Sequence, residues 1–561
     1  MPRLTKVLTA IVLPVIFLAG LRVLFVSIKT PANFYDEGLI LVNAERVLAG
    51  EVPYRDFWTL YAPGYFYAVA ALFKAFGANV LIARLLDTAI RFLVTLGVYL
   101  LARRMTSRWV ALIPYALVTL WLSAIRFYSY PAFPALGAIL LAFLAFFRYL
   151  DTGRRRWLVL TGLCLSLTAA LRLDFGGYAT AGIGVALAVH EIRQARSAQS
   201  KLHPIATLVA MVKAEALLAV GLVIIAGPLY VYLAAASGLQ TIWTDLIVFP
   251  ATTFRAMRYL PVPPLLPDVA RFSGEQWEDW ARLYVPLAIY AAALVVAGIG
   301  LYRARKDGAL NKSPEQVRDS GADGRRSGGT DLAVPLIALT ITGLGLVIKA
   351  TSRYHELHAL PMAVLALVAG TALFYRVPRR VWRSAPFIVA FVAFILAALP
   401  GPYIVHFTDL YKGVDKLTPT GCYSRIERAG CVPLGQDQEL AVQYIRSHTD
   451  PGAYIFVGNT RHDLSFANDL SFYFLADRRS PTRYTELHPG LATTLAVQQA
   501  IAADLLAKDV RRIVLYKMWV SGEPNASAIS SGVTYLDDFI RDNYVTDTTF
   551  GNYQILRGRT N

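Results

Sequence analysis

Two adjacent carboxylic acids, Asp36 and Glu37, follow the first long apolar stretch and begin a helical pattern. We predict both as catalytic residues, because a carboxylate there can take the proton from an attacking hydroxyl group. Asp36 is the preferred base, although an Asp before a helix often serves only as its N-cap. Adjacent helical residues point about 100° apart, so one acid can react while the other caps the helix or holds a metal ion.

Arginines near the ends of apolar segments are candidates for binding a phosphate group. A phosphate that leaves in a displacement reaction gathers negative charge, which such cations stabilise. Arg353 and Tyr354 also fit a second interpretation, in which their side chains only reach from the end of a span to the membrane interface. The predicted phosphate-binding and lipid-binding residues are Arg353, Tyr354, Arg255, Arg258, Arg84 and Arg172.

Two of these arginines have acidic neighbours. Arg84, Asp87 and Arg91 lie in an apolar stretch at spacings that put them on one helix face. Charges are costly inside a membrane, so the three side chains should face the interior of the helix bundle and pair with one another. They can form a structural ion pair or contact a substrate. Arg172 and Asp174 fall in a short turn, where an ordinary salt bridge contributes little. We expect both groups in the wall of a substrate cavity.

His355 and His358 lie on nearly one helical face, a spacing that permits a pair of metal ligands. Packing at the membrane interface explains such a pair at least as well, because no third ligand is in view. The sequence therefore does not decide whether a divalent metal ion binds, and we assign no cofactor.

The composition shows that a lipid bilayer is the main solvent of the chain. Of 561 residues, 56% are hydrophobic and 17% charged, and the mean hydropathy is +0.46. Apolar runs predict about eleven transmembrane helices within residues 1-401. The predicted spans are 7-28, 79-102, 109-125, 132-149, 157-171, 175-192, 214-236, 285-302, 332-349, 356-375 and 385-401.

The formal net charge of +17 does not indicate a nucleic-acid-binding protein, because the basic residues cluster between apolar segments. The clusters fall in alternate loops, as the positive-inside rule requires. We therefore place the N-terminus in the cytoplasm, together with the long polar loop 303-331, which should be disordered. An odd number of spans puts residues 402-561 on the extracytoplasmic side of the plasma membrane.

Two predicted outer loops are long, 29-78 and 237-284. The first contains helical patterns at 37-49 and 64-76, whereas prolines in the second argue against regular helix. The tail after a boundary near Pro400 alternates strand patterns with amphipathic helical patterns and predicts a small α/β domain. The strand patterns are 453-458 and 511-516, and the helical patterns are 437-448 and 493-507.

The three cysteines predict at most one disulfide. Cys422 and Cys431 come after the last span, where an oxidising compartment would let them close a short loop. Cys164 lies inside an apolar run and is predicted to be a packing residue.

The first outer loop resembles the lipid-dependent glycosyltransferases of the GT-C fold, in particular the protein O-mannosyltransferase and aminoarabinose-transferase superfamily. Those enzymes carry an Asp-Glu pair in the same place, followed by a Pro-containing stretch before the second span. The matching segments here are YDEG, ERVLAGEVPYRDFW and APG. The segment SRYHELHALPM, residues 352-362, is similar to an Arg-x-Tyr, Pro-containing segment of the same superfamily.

The resemblance implies an all-α polytopic membrane domain with a small extracytoplasmic α/β domain. It also implies transfer of a sugar from a polyprenyl-phosphate donor to a hydroxyl group of a glycan, lipid or protein, with inversion if the displacement is single. Aminoarabinose transferases usually have Lys-Pro-Pro where this chain has Ala62, Pro63 and Gly64, which argues against the lipid A reaction itself. The expected substrate cavity includes Tyr35, Arg55, Asp56, Tyr61, Asp174, His355 and His358.

Two other functions compete with this one. A transporter or lipid flippase should show internal repeats and paired helix interruptions, which we do not find in the sequence. A non-catalytic relative would bind its lipid but would tolerate Asp36→Asn, whereas an enzyme that uses this base would not.

Overall fold

The computed structural model describes residues 2–125, 128–198, 204–268, 271, 273–306, 332–378, 380–381, 384–398, 422–518 and 521–559. Most of the polar loop that was predicted to be disordered, and the predicted domain boundary near residue 400, lie outside these residues.

Helices dominate the described part of the first 398 residues, and every predicted span coincides with one of them. The starts differ most for the spans predicted at 214-236 and 285-302, whose helices begin about ten residues earlier. The helices are Pro2–Leu24, Asp36–Leu48, Gly64–Phe76, Val80–Met105, Leu112–Ala124, Ala132–Thr152, Arg156–Leu171, Leu173–Ala198, Pro204–Ser237, Leu239–Trp243, Arg255–Arg258, Gly274–Lys306, Ala333–Ser352, Glu356–Arg376 and Ala385–Ala398.

Six of the described helices are long and apolar enough to cross a membrane, judged by length and composition. The predicted polytopic membrane domain is therefore confirmed, whereas the number of about eleven spans stays a prediction. Small residues let neighbouring spans approach closely. A side chain on Gly162 would lie 2.1 Å from the Leu218 carbonyl oxygen, so the helices Arg156–Leu171 and Pro204–Ser237 touch through their backbones.

The second outer loop is more helical than its prolines suggested. The chain stays helical from Leu239 to Arg258, with π-helical turns at Thr244–Val248 and Pro250–Phe254. Pro250 is the first residue of its turn, where a missing N–H breaks no hydrogen bond within the turn. The prediction that prolines argue against regular helix was therefore wrong up to Arg258 but holds for residues 259–267, which form no helix and contain the other four prolines.

The tail folds around a four-stranded sheet, which confirms the predicted small α/β domain. The strands are β1 Ile455–Asn459, β2 Arg512–Tyr516, β3 Tyr544–Phe550 and β4 Tyr553–Gly558, in the order β1-β2-β4-β3. β1 and β2 are parallel, and β4 is antiparallel to both β2 and β3. The helices of the tail are Gln436–His448, Leu470–Ala476, Leu495–Ala507 and Tyr535–Asn543.

The tail packs directly on the first outer loop. The helix Leu470–Ala476 lies against the helix Asp36–Leu48, and the Ser471 N–H donates to the Phe34 carbonyl oxygen at 2.9 Å. A side chain on Gly38 would lie 2.3 Å from the Ser471 nitrogen, so only glycine permits this approach. The contact brings the segment that follows residue 480 over the start of the helix Asp36–Leu48.

Cys422 and Cys431 form a disulfide in the structure, with their Cα atoms 4.2 Å apart. The bond closes a short loop at the start of the described tail. Cys164 is a free, half-buried thiol.

Candidate active site

Two adjoining cavities lie where the spans, the first outer loop and the tail meet. We call the first, of about 280 Å³, the acid cavity, because Asp36 and Glu486 line it. The second, of about 540 Å³, is the cation cavity, lined by Arg172, Arg255 and Lys349. The residues that line both are Leu60, Tyr61, Tyr130, Phe254 and His358.

Asp36 presents its carboxylate to the acid cavity and does not cap its helix. Asn33 takes that role, because its Oδ1 accepts hydrogen bonds from the N–H groups of Tyr35 and Asp36 at 3.0 and 2.7 Å. No residue in the described part of the chain donates a hydrogen bond to the Asp36 carboxylate. Burial raises its pKa to about 6, and Arg258 and Arg353 partly offset that effect. The carboxylate is therefore available as a base at neutral pH.

Glu37, the second acid predicted to be catalytic, lines neither cavity and forms a buried ion pair. The Arg84 Nε and Nη2 atoms donate to its two oxygens, each at 2.7 Å. Arg84 also donates to the carbonyl oxygens of Ile28 and Thr30, at 2.8 and 2.7 Å. With all these partners inside the fold, Arg84 lines neither cavity, and its contact with a donor phosphate stays a prediction that this arrangement does not favour.

Three more predicted residues lie outside both cavities. Arg55 and Asp56 pair with each other at 2.7 Å on the surface, and Asp56 accepts the Val52 N–H at 2.7 Å. Tyr354 is turned towards the helix Gly274–Lys306, where its hydroxyl donates to the Asp279 carbonyl oxygen at 2.7 Å. Local pairing in a loop and packing between spans therefore account for these side chains.

Arg353 and Arg258 line the acid cavity, but a residue of the tail binds them. Arg353 donates to both oxygens of Glu523, at 2.7 and 2.5 Å. The Arg258 Nε lies 3.9 Å from the same carboxylate. Burial alone would raise the pKa of Glu523, but hydrogen bonds from Arg353 and Asn525 outweigh it and lower the pKa to about 2. The two arginines therefore hold the tail over the cavity.

The cation cavity combines positive charge with apolar walls. Arg172 donates to both oxygens of Asp174, at 3.0 and 2.7 Å. Lys349 has no carboxylate within salt-bridge distance among the described residues, and Arg255 is exposed. The apolar side chains on the walls are Leu60, Leu173, Leu246, Ile247, Pro250 and Ile348.

The two predicted histidines line the acid cavity without forming a metal site of their own. His355 caps the helix Glu356–Arg376, because its Nδ1 accepts the Leu357 N–H at 3.3 Å. His358 Nδ1 lies 3.1 Å from the Tyr130 hydroxyl oxygen. Within the described ranges, no group of three or more His, Cys, Asp or Glu residues could hold a metal ion.

The tail supplies cavity residues that sequence reasoning missed. Glu486 and His488 come from the segment TELHPG and reach the acid cavity beside Asp36. Burial raises the pKa of Glu486 to about 8 and lowers that of His488 to about 3, so His488 is neutral. Nothing in the sequence marks this segment as part of the site, because the contact joins residues more than 400 positions apart. Lys349 was missed because it lies inside a predicted span.

Together, the two cavities offer a half-buried carboxylate beside a polar space and, beside an apolar one, Lys349 without a salt bridge to any described residue. This arrangement can activate a hydroxyl nucleophile in one cavity while an amphiphilic anion occupies the other.

The fold matches two crystal structures of ArnT from Cupriavidus metallidurans, one bound to undecaprenyl phosphate and one in the apo state. The first is 12% identical, with 97% of each chain covered and a TM-score of 0.53. The second is 14% identical, with 98% of each chain covered and a TM-score of 0.52. The chain has the GT-C fold. The resemblance predicted from the first outer loop is thereby confirmed at the level of the fold.

No protein-family model matches the sequence, and no curated protein matches it. At 12% and 14% identity, the similarity to ArnT shows that the two proteins share a fold, and it does not show that they share substrates.

Proposed function

We propose that this protein is a membrane glycosyltransferase that moves a sugar from polyprenyl phosphate to an acceptor hydroxyl group on the outer side of the membrane. One observation carries the proposal: the free Asp36 carboxylate lines a cavity that shares walls with a second cavity rich in cations and apolar side chains. A polyprenyl-phosphate sugar has the matching parts, namely a polar sugar, an anionic phosphate and an apolar chain.

The donor lipid fits the cation cavity in this proposal. Its prenyl chain would lie against the apolar walls, and its phosphate would approach Lys349 and Arg172. The sugar would then extend past the shared wall into the acid cavity. The ArnT structure with bound undecaprenyl phosphate supports a lipid of this class, because that protein shares the fold.

The reaction follows from this placement. Asp36 takes the proton from the acceptor hydroxyl group, and the oxygen attacks the anomeric carbon of the sugar. The bond between that carbon and the phosphate oxygen breaks, and polyprenyl phosphate leaves with the electron pair. Lys349, which has no carboxylate partner among the described residues, stabilises the negative charge that develops on the phosphate, and Arg172 supports it from its ion pair with Asp174. A single displacement of this kind inverts the anomeric configuration.

Arg258 and Arg353 have a positioning role in this scheme. They limit the rise of the Asp36 pKa, so that the carboxylate is ionised near neutral pH. Their contacts with Glu523 also tie the tail to the mouth of the site. The tail therefore closes the cavity in which the sugar would react.

The test is transfer by the purified protein in lipid nanodiscs, with a panel of radiolabelled pentoses and hexoses on undecaprenyl phosphate. Asp36→Asn should lower turnover by roughly two to four orders of magnitude and leave the affinity for undecaprenyl phosphate unchanged. Asp56→Asn is the matched control, because Asp56 lies in the same loop but outside both cavities. The control variant should keep its activity.

Three results would count against the proposal. Full activity of Asp36→Asn would exclude this base, and an equal loss in Asp56→Asn would show only general damage to the loop. Binding of undecaprenyl phosphate with no transfer of any sugar in the panel would favour the non-catalytic relative.

A further inference from the structure

The acid cavity contains a second carboxyl group whose hydrogen-bonding capacity is unused. Glu486 is 1% exposed, and neither of its side-chain oxygens has a hydrogen-bond partner among the described residues. Thr59 and Asn43 lie near enough to lower its pKa, but neither makes a hydrogen bond of acceptable geometry. The Asn43 Nδ2 atom is also buried without a partner. Unsatisfied buried polar groups are costly, and a cavity lined by them is suited to a polar ligand.

The charge state of Glu486 follows from its surroundings. Burial and the nearby Asp36 carboxylate raise its pKa to about 8, so Glu486 holds its proton at neutral pH. The other titratable groups that feel its charge are the tyrosines Tyr35, Tyr54 and Tyr61, whose pKa values are all raised by burial. A protonated carboxyl group both donates and accepts a hydrogen bond, as a sugar hydroxyl group does.

We propose that Glu486 is a sugar-binding residue, supplied by the tail, whose carboxyl group hydrogen-bonds a hydroxyl group of the sugar opposite Asp36. This inference rests on the proposed function and deepens it, since it assigns the acid cavity to a sugar. It also gives the tail a direct part in recognition, beyond covering the site.

The position of Glu486 favours the sugar over the lipid phosphate as its ligand. It lines the acid cavity and is not among the residues of the cation cavity. An ionised carboxylate repels a phosphate, whereas a protonated carboxyl group can both donate to and accept from a hydroxyl group, and it loses the donated bond when it ionises. The hydroxyl group belongs either to the donor sugar or to a sugar acceptor, and the two sources can be separated by experiment.

The experiment compares Glu486→Leu with Glu486→Gln, since glutamine keeps both a donor and an acceptor in the same shape. Binding is measured for undecaprenyl phosphate alone and for undecaprenyl phosphate that carries the sugar transferred by the wild type. Glu486→Leu should weaken binding of the glycosylated lipid about tenfold and leave binding of the bare lipid unchanged. Glu486→Gln should stay within about threefold of the wild type for both.

The pH profile gives a second readout. The wild-type rate should fall above about pH 8, where Glu486 ionises beside Asp36, and Glu486→Gln should lack this alkaline limb. Asp469→Asn is the matched control for the tail, because Asp469 is a buried acid that accepts hydrogen bonds from Gln438 and Tyr553 and lines neither cavity. It should reduce the stability of the tail without changing either binding constant.

The outcomes separate this inference from the proposed function. A higher acceptor KM with unchanged binding of the glycosylated donor would assign the Glu486 contact to a sugar acceptor. Unchanged donor affinity and unchanged acceptor KM in a folded Glu486→Leu protein would overturn the inference, while the function would stand if Asp36→Asn still abolished transfer. An equal loss of affinity for the bare and the glycosylated lipid would also overturn the inference, because such a loss would indicate that the whole site is disrupted.

Discussion

Asp36 and Glu37 are neighbours in sequence but face two different regions of the molecule. Glu37 joins a buried row of charges in which Arg84 binds Glu37 and Arg91 binds Asp87 at 2.6 Å. Asp36 faces the acid cavity, where no described residue donates a hydrogen bond to its carboxylate. The first region pairs its charges within the fold, and the second leaves the Asp36 carboxylate available to a ligand.

The hydrogen-bonding partners of an acid, more than its type or its position in the sequence, distinguish a structural role from a chemical one. Burial differs only in degree, since Glu37 is fully buried and Asp36 is half-buried. Glu37 has a bidentate arginine, so its removal should affect folding. Asp36 has only distant arginines, so its removal should affect turnover. Variants of the two acids can therefore test the comparison directly.

The largest effect is expected on the stability of Glu37→Gln. Removal of one partner leaves the Arg84 guanidinium buried and uncompensated, which should lower the free energy of unfolding by about 3–5 kcal/mol. Asp36→Asn should be no less stable than the wild type at neutral pH, because it removes a desolvated charge. Thermal unfolding of both variants in one detergent measures the contrast.

A double variant, Glu37→Gln with Arg84→Met, provides the control for that measurement. It should recover part of the lost stability, because no unpaired charge then remains. Equal destabilisation by Asp36→Asn and Glu37→Gln would contradict the division into two regions.

The next effect concerns lipid binding by the cation cavity. Lys349→Met should weaken binding of undecaprenyl phosphate about 10- to 100-fold, because a charge-assisted contact with the phosphate is lost. Arg55→Met is the control, since Arg55 is a surface arginine outside both cavities. Affinity can be measured by microscale thermophoresis at fixed ionic strength. A weak effect of Lys349→Met beside a strong effect of Arg353→Met would move the phosphate site to the acid cavity.

The sequence predicted the helices and the small α/β tail well, because apolar periodicity depends on local residues. It also singled out Asp36, whose place after the first span is visible in the chain. It preferred Asp36 as the base but still predicted a catalytic role for Glu37, because the ion pair of Glu37 depends on Arg84 in a different helix. Glu486 could not be found, because it reaches the cavity only through packing of the tail on the first loop.

The smallest effect is expected in the pH dependence of stability, and it again contrasts two acids of the first loop. The pKa of Asp36 is raised to about 6 from an unfolded value of 3.8, so the folded state binds more protons between those values. Its contribution to stability therefore falls as pH rises from about 4 to about 6. Asp36→Asn should remove this fall. The difference in unfolding temperature, variant minus wild type, should therefore be more positive at pH 7 than at pH 4.

Asp56 should behave in the opposite way. The hydrogen bond from Arg55 lowers the pKa of Asp56, so its contribution is present above the unfolded pKa and is lost as pH falls. Asp56→Asn should therefore lower the unfolding temperature at pH 7 and have less effect at pH 4. Activity adds a separate check, since the wild-type kcat/KM should fall about tenfold per pH unit below about pH 6 as Asp36 takes up a proton. If Asp56→Asn keeps the same fall in kcat/KM at low pH, the fall belongs to Asp36. If the fall disappears in Asp56→Asn, Asp56 and not Asp36 is the base.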